Sequence, residues 1–227
     1  MSRIISVKNL RKVYKTACKE LEVLKDITFD VEKAQVVSVT GPSGAGKSTL
    51  LHIIGGLDLP TQGEVLLNGK NVYTIGENAI ARLRNKDIGF VFQFYHLLEN
   101  FTALENIAMP CIIKGERRID ALKKAEEIME YIGLLDRAKH KPSELSGGEQ
   151  QRIAIARAVM NNPAVLLCDE PTGNLHTDAA EIIWALLKSL NMRFGTTIIF
   201  ATHDISFAKR ANRLIYLKDG LMEKDSR

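Results

Sequence analysis

The run Gly41-Pro42-Ser43-Gly44-Ala45-Gly46-Lys47-Ser48-Thr49 constrains this chain more than any other segment in it. It follows the apolar, β-branched run Val36 to Thr40 and precedes a helical pattern that begins near Lys47. It matches G-x-x-x-x-G-K-[ST] in the strand–loop–helix setting that this pattern requires. Each residue type has a physical reason. Glycine reaches backbone conformations closed to other residues, so successive N–H groups can turn inward onto phosphate oxygens. The N-terminus of the following helix adds the positive end of its dipole. Lys47 supplies a cation for the β- and γ-phosphates of a nucleotide, and the Ser48 hydroxyl an oxygen for Mg²⁺. Alone, the loop specifies a nucleotide binder and nothing finer.

A second segment narrows the chemistry. Val165-Leu166-Leu167-Cys168 runs straight into Asp169-Glu170, so a buried strand delivers two carboxylates at its C-terminal edge, where open α/β sheets place their ligands. Beside a phosphate loop, Asp169 is the candidate Mg²⁺ ligand, acting through water. Glu170 is the candidate general base for the attacking water.

The rest of the chain supports an α/β fold with a largely parallel sheet. Runs of strand length (Val36–Thr40, Ile88–Phe92, Ala164–Cys168 and Thr196–Ala201) alternate with helical patterns. Ile119, Leu122, Ala125, Ile128, Met129 and Ile132 share the face of one amphipathic helix, and a second long helix spans about 178–193. The first 35 residues, together with Gly63 to Asn68, read as short strands of a small antiparallel sheet. Residues from about 95 to 160 read as a helical insertion.

Composition excludes several classes. The 31 Lys and Arg against 27 Asp and Glu leave a net charge of +4 with no long basic run, which argues against nucleic acid as a partner. Cys18, Cys111 and Cys168 are scattered and show no Cys-x-x-Cys spacing, which fits a reducing compartment without disulfides or zinc. Cys168, inside an apolar run, reads as a small buried hydrophobe. Ser6 and Lys8 interrupt the N-terminal apolar residues too early for a signal peptide. No stretch approaches the ~18 uncharged apolar residues of a spanning helix. A cytoplasmic protein is expected, with any membrane role exerted through partners.

Leu145-Ser146-Gly147-Gly148-Glu149-Gln150-Gln151-Arg152 identifies the class. Ser146 is a good helix N-cap, and two glycines leave the first N–H groups of that helix uncovered, so Ser146, Gly147 and Gly148 make a second anion site. In this string the chain resembles the ABC ATPase family, whose dimers bind ATP between one subunit's phosphate loop and the other's LSGGQ signature. The resemblance covers essentially the whole chain. It implies a P-loop NTPase (RecA-like) core, about 1–94 and 160–227, with a small antiparallel β subdomain and an inserted helical subdomain, about 95–159, in a single domain. It implies a head-to-tail, ATP-dependent homodimer. It also assigns roles: Tyr14 stacks on adenine, Gln93 senses Mg²⁺ and the attacking water, and His203 contacts the γ-phosphate. Lys47 and Glu170 carry the catalysis with them.

One position departs from the family. The segment after Asp169-Glu170-Pro171-Thr172 usually reads Gly-Asn-Leu-Asp, and here it reads Gly173-Asn174-Leu175-His176. The segment lies at the family's dimer interface, so the departure bears on coupled hydrolysis and leaves a poorly hydrolysing scaffold as one alternative. Within the family, the run from Gln93 through Phe94, Leu97, Leu98 and Phe101 to Asn106 resembles ATPases of lipoprotein-releasing systems, as do Lys141-Pro142-Ser143-Glu144 and Thr202-His203-Asp204. That resemblance implies two integral membrane subunits of LolC/LolE type and a peripheral position on the cytoplasmic face of the bacterial inner membrane. The MacB and FtsE ATPases share much of the pattern and stand as alternatives. No coiled-coil insert or zinc module of the DNA-repair ATPases separates Lys47 from Ser146, and the second cassette of the translation-factor ATPases is missing.

Overall fold

The computed structural model describes residues 2–15 and 19–226, so the reading of Cys18 lies outside the described residues. Along the chain come β1 (Arg3–Lys15), β2 (Glu20–Glu32), β3 (Val36–Thr40), α1 (Lys47–Ile54), β4 (Gln62–Leu67), β5 (Lys70–Asn71), α2 (Glu77–Asp87) and β6 (Ile88–Val91). There follow α3 (Ala103–Ile113), α4 (Arg118–Tyr131), α5 (Gly147–Val159), β7 (Val165–Asp169), α6 (Thr177–Phe194), β8 (Thr197–Thr202), α7 (Ile205–Ala208), β9 (Arg213–Lys218) and β10 (Leu221–Ser226). Two compact units result, one of residues 1–81 and 197–227, the other of residues 82–196.

In the first unit, β2, β1, β4 and β5 form an antiparallel sheet in that order. It is the sheet expected from the first 35 residues and Gly63–Asn68, but β1 and β2 run 13 residues each rather than forming short strands. Register shifts within the β1–β2 ladder keep so long a pair bent instead of flat. Beside this sheet, β3 lies parallel to both β8 and β9. Every residue of β3 and β8 is buried, as parallel strands covered on both faces must be. The hairpin from β9 to β10 turns at Asp219-Gly220, both with positive φ, in the manner of a two-residue type I′ turn. Sequence reasoning passed over this hairpin although its Asp-Gly signal is plain.

The second unit holds the parallel pair β6–β7 and four helices, α3 to α6. Residues 95–160 are helical, as expected, but the compact unit also takes in β6, β7 and α6. Helix α3 starts at a capping box in which Thr102 and Glu105 satisfy each other's backbone N–H groups. Helix α6 stops at Gly195, which takes the left-handed conformation that ends many helices. On α4 the buried face is Ala121, Ala125 and Met129, whereas Ile119, expected on that face, is 62% exposed in the first turn. Helix α2 was not foreseen, because it buries no residue and so carries no apolar stripe to find. Among the described residues no helix is long and apolar enough to cross a membrane.

Candidate nucleotide-binding elements

The residues singled out in the sequence divide between the two units, and each set has its own geometry. In the first unit, β3 delivers the glycine-rich loop. Gly41, Gly44 and Gly46 all have positive φ, and a Cβ on Gly41 would stand 1.9 Å from the Leu217 carbonyl oxygen, a contact no side chain can make. The first intrahelical bond of α1 runs from the Leu50 N–H to the Gly46 carbonyl. The N–H groups of Lys47, Ser48 and Thr49 therefore stand ahead of the helical ladder, at its positive end. Lys47 is buried, and its Nζ donates to the Gly41 and Pro42 carbonyls at 2.9 and 3.0 Å, which folds the ammonium back over the loop. Pro42, Ser43 and Ala45 complete the turn, with the Ala45 N–H bonded to the Pro42 carbonyl. A backbone cradle with a resident cation fits a polyphosphate, and the oxygens of Ser48 and the phosphates fit a hard cation such as Mg²⁺.

The same unit places His203 beside this loop. Thr40 and Thr202 are register partners on parallel strands, so the next residues, Gly41 and His203, leave the sheet at the same edge. Asp204 follows His203 and caps α7, and its carboxyl is held low chiefly by the hydrogen bond from the Ser206 hydroxyl.

Tyr14 is the penultimate residue of β1, an interior strand of its sheet. Its ring is 39% exposed, and its hydroxyl donates to Asp58 Oδ2 at 2.6 Å. Lys12, buried and missed in the sequence, donates to Asp58 Oδ1 and to the Leu59 carbonyl, both at 2.7 Å, and lies 4.5 Å from the Tyr14 ring centroid. Partial burial and then the bond to Asp58 push the Tyr14 phenol upward. Burial pulls the Asp58 carboxyl upward too, but the bonds from Lys12 and Tyr14 outweigh it and hold the group below the usual carboxylate range. No sequence motif marks Lys12 or Asp58. Only the fold brings them to Tyr14.

In the second unit, β6 and β7 present Gln93 and the acids together. Val91 pairs with Cys168, so Gln93 and Glu170 each lie two residues past one registered pair, at the C-terminal edge. Asp169 closes β7 and is buried. Glu170 adopts φ +47°, a left-handed conformation uncommon for a residue with a side chain and typical of functional turns. The Asn174 amide donates to the Gln93 carbonyl at 3.4 Å and ties the segment after Glu170 to the segment after β6. Cys168 is fully buried, as its apolar run implies, and burial pushes its thiol far up.

Ser146 caps α5. Its hydroxyl accepts from the Glu149 N–H, while Glu149 Oε2 accepts from the Ser146 N–H at 2.8 Å. The glycines serve more than exposed N–H groups. A Cβ on Gly148 would press on Ala179 at 3.3 Å, and one on Gly147 would meet the Tyr95 hydroxyl at 3.0 Å, so a side chain at either position requires its neighbour to give by a few tenths of an ångström. Ser146, Gly147 and Gly148 open onto a cavity of about 390 Å³ that Arg152, Asn174 and His176 also line. His176 is the N-cap residue of α6, and its side chain makes no cap bond. Arg157, also missed in the sequence, donates from its guanidinium to the Tyr95 and His96 carbonyls at 2.7 and 2.6 Å. It thereby ties α5 to two consecutive residues with positive φ just after Gln93. Of the apolar residues there, Leu97 is buried, whereas Phe94, Leu98 and Phe101 are exposed.

Comparison with known proteins bears on the family and the fold. The profile of the family described as ABC transporter matches residues 24–173. The lipoprotein-releasing system ATP-binding protein LolD of Saccharophagus degradans is 46% identical over 221 residues, 97% of either chain. A dimeric post-hydrolysis structure of the ATP-binding cassette MJ0796 bound to ADP and Pi superposes with a TM-score of 0.92 at 41% identity, over 99% of this chain and 98% of that one. A second dimeric structure of MJ0796, a bacterial ABC transporter cassette, gives 0.92 at 42% over the same shares. The fold is that of the ABC cassette, a mixed α/β P-loop NTPase with an antiparallel β subdomain and a helical subdomain. A family profile over most of the chain, a full-length relative and the same fold converge: the chain belongs to the ABC transporter family, as one of its ATP-binding subunits.

Proposed function

We propose that this ABC ATPase powers the release of lipoproteins from the inner membrane, as two copies driving membrane subunits of LolC/LolE type from the cytoplasmic face. The observation that carries this reading is the 46% identity to LolD across 97% of both chains. The exposed Phe94, Leu98 and Phe101 support it, because apolar side chains left at a surface segment suit a partner helix.

In this reading ATP lies on the loop Gly41–Thr49, with Tyr14 beside adenine. Lys47 binds the β- and γ-phosphates, and the backbone N–H groups that open α1 take the remaining phosphate oxygens. Ser48, Gln93 and Asp169 are the residues that would hold Mg²⁺, which would supply neutralisation of phosphate charge. Glu170 accepts the proton of the attacking water, and His203 donates to the γ-phosphate. Ser146, Gly147 and Gly148 act on the nucleotide of the second copy in a head-to-tail homodimer, with residues 95–159 as the helical subdomain of a single domain. No nucleic acid takes part.

Reconstitution tests the reading. The chain co-purified with LolC/LolE-type subunits in proteoliposomes should release a lipoprotein to a soluble carrier when ATP is added. Glu170→Gln should bind ATP and release none. An ATPase that hydrolyses at the same rate with and without those subunits, and releases no lipoprotein, would remove the transport assignment.

A further inference from the structure

Resting on the signature-pocket reading above, we propose that His176 is an anion-contact residue of that pocket, and that protonating it tightens the ATP-bound dimer. It lines the same cavity of about 390 Å³ as Ser146, Gly147, Gly148 and Arg152. As N-cap of α6 it has the extended backbone of a capping residue (φ −67°, ψ 158°), yet its side chain caps nothing. The side chain is thus not spent on its own helix, and the residue lines the cavity in which, on this reading, the other copy's phosphates are read.

The neighbouring charges set the sign. On α5, Glu149 is fully engaged: Oε2 accepts from the Ser146 N–H and hydroxyl, and Oε1 from Arg137. The Ser146 backbone N–H, with the Ser146 hydroxyl and Arg137 behind it, holds that carboxyl low, so it remains an anion already balanced by Arg137 throughout the neutral range. Arg152, also on α5, is a permanent cation that donates to the Ile132 carbonyl at 3.0 Å. Asp178 lies in the first turn of α6 itself. Imidazole is the side-chain type whose charge changes between pH 5 and 8, and His176 is the one histidine among the residues lining this pocket.

An anion bound in this pocket attracts an imidazolium, so its arrival favours the proton. Proton uptake and anion binding must then reinforce each other equally, by linkage. The Asp that usually follows Gly-Asn-Leu in this family cannot do this, because it contributes a negative charge at every pH in the range.

The experiment uses the full chain carrying Glu170→Gln, so that ATP is not consumed, and measures the dissociation constant of the ATP-dependent dimer by sedimentation at pH 6 and pH 8. The parent dimer should be about fivefold tighter at pH 6, at the lower end of coupling between linked sites. His176→Asn is neutral and a better N-cap, so it should fold and lose that difference. His176→Lys should hold the tight dimer at both pH values. The nucleotide's own phosphate titration is common to all three proteins and cannot mimic this pattern. A pH ratio that persists unchanged in His176→Asn overturns the proposal while leaving the composite site intact. Absence of any ATP-dependent dimer in the parent at both pH values overturns the composite site, and the proposal with it.

Discussion

Thr40 and Thr202 face each other in register on the parallel strands β3 and β8, so Gly41 and His203 leave the sheet side by side. The loop proposed to bind phosphate and the histidine proposed to sense it are therefore positioned by one strand pair. Everything at this edge depends on the chain's freedom to turn at Gly41.

That dependence is measurable. Gly41→Ala would put a methyl 1.9 Å from the Leu217 carbonyl, on the backbone of a neighbouring strand that cannot give way. The cost should be roughly 3 kcal/mol or more, from overpacking added to a strained φ. Gly44→Ala is the control: a Cβ there meets nothing within 4 Å, so only its positive φ counts, at about 1 kcal/mol. Urea unfolding of both variants should separate them in that order. Equal losses would mean that the turn, rather than the contact with Leu217, sets the requirement.

Asp58 gives a pH prediction. Its carboxyl is held low by Lys12 and Tyr14, so its contribution to stability is complete above the ordinary carboxylate range and fades as pH falls through the depressed folded value. Asp58→Asn should cost about 2 kcal/mol at pH 7, because Lys12 is left largely buried without its partner. As pH falls through the depressed folded value of Asp58 the two proteins should converge. A difference that stays constant as the pH is lowered would show that packing, not the ion pair, is lost.

The segment after Gln93 separates folding from coupling. Leu97 is 9% exposed and Leu98 41%, so adjacent leucines serve different ends. Leu97→Asp should leave little soluble folded protein. Leu98→Asp or Phe101→Asp should fold, keep basal ATPase within about twofold, and lose stimulation by the membrane subunits. Thermal melts and ATPase rates with and without those subunits check this, and loss of folding in Leu98→Asp would place Leu98 in the interior instead.

What could be read from the sequence followed from local rules. The buried parallel strands betray themselves as uninterrupted apolar runs, and β3, β6, β7 and β8 fall within a residue or so of their expected limits. The loop Gly41–Thr49 and the cap at Ser146 are legible because their chemistry is local. Lys12, Asp58 and Arg157 were not, since each meets its partner only through tertiary contacts and sits in no motif. The exposed helix α2 gave no periodicity, and Ile119 shows the converse error: apolar spacing on α4 counted a residue that the first turn leaves in solvent. The Asp219-Gly220 turn was available to the same rules and was overlooked.

The central claim is that two copies share their ATP sites, and mixing two inactive variants tests it most directly. Lys47→Ala removes the side-chain cation of the phosphate loop, and Ser146→Arg blocks the signature pocket. Each alone should be nearly inactive, since every site in either homodimer carries a defect. In a mixture, half of the heterodimer's sites pair an intact loop with an intact signature, so steady-state ATPase should reappear on mixing and rise with the heterodimer fraction. ATPase that stays at the level of the separate variants at all mixing ratios, although heterodimers form, would contradict the shared site.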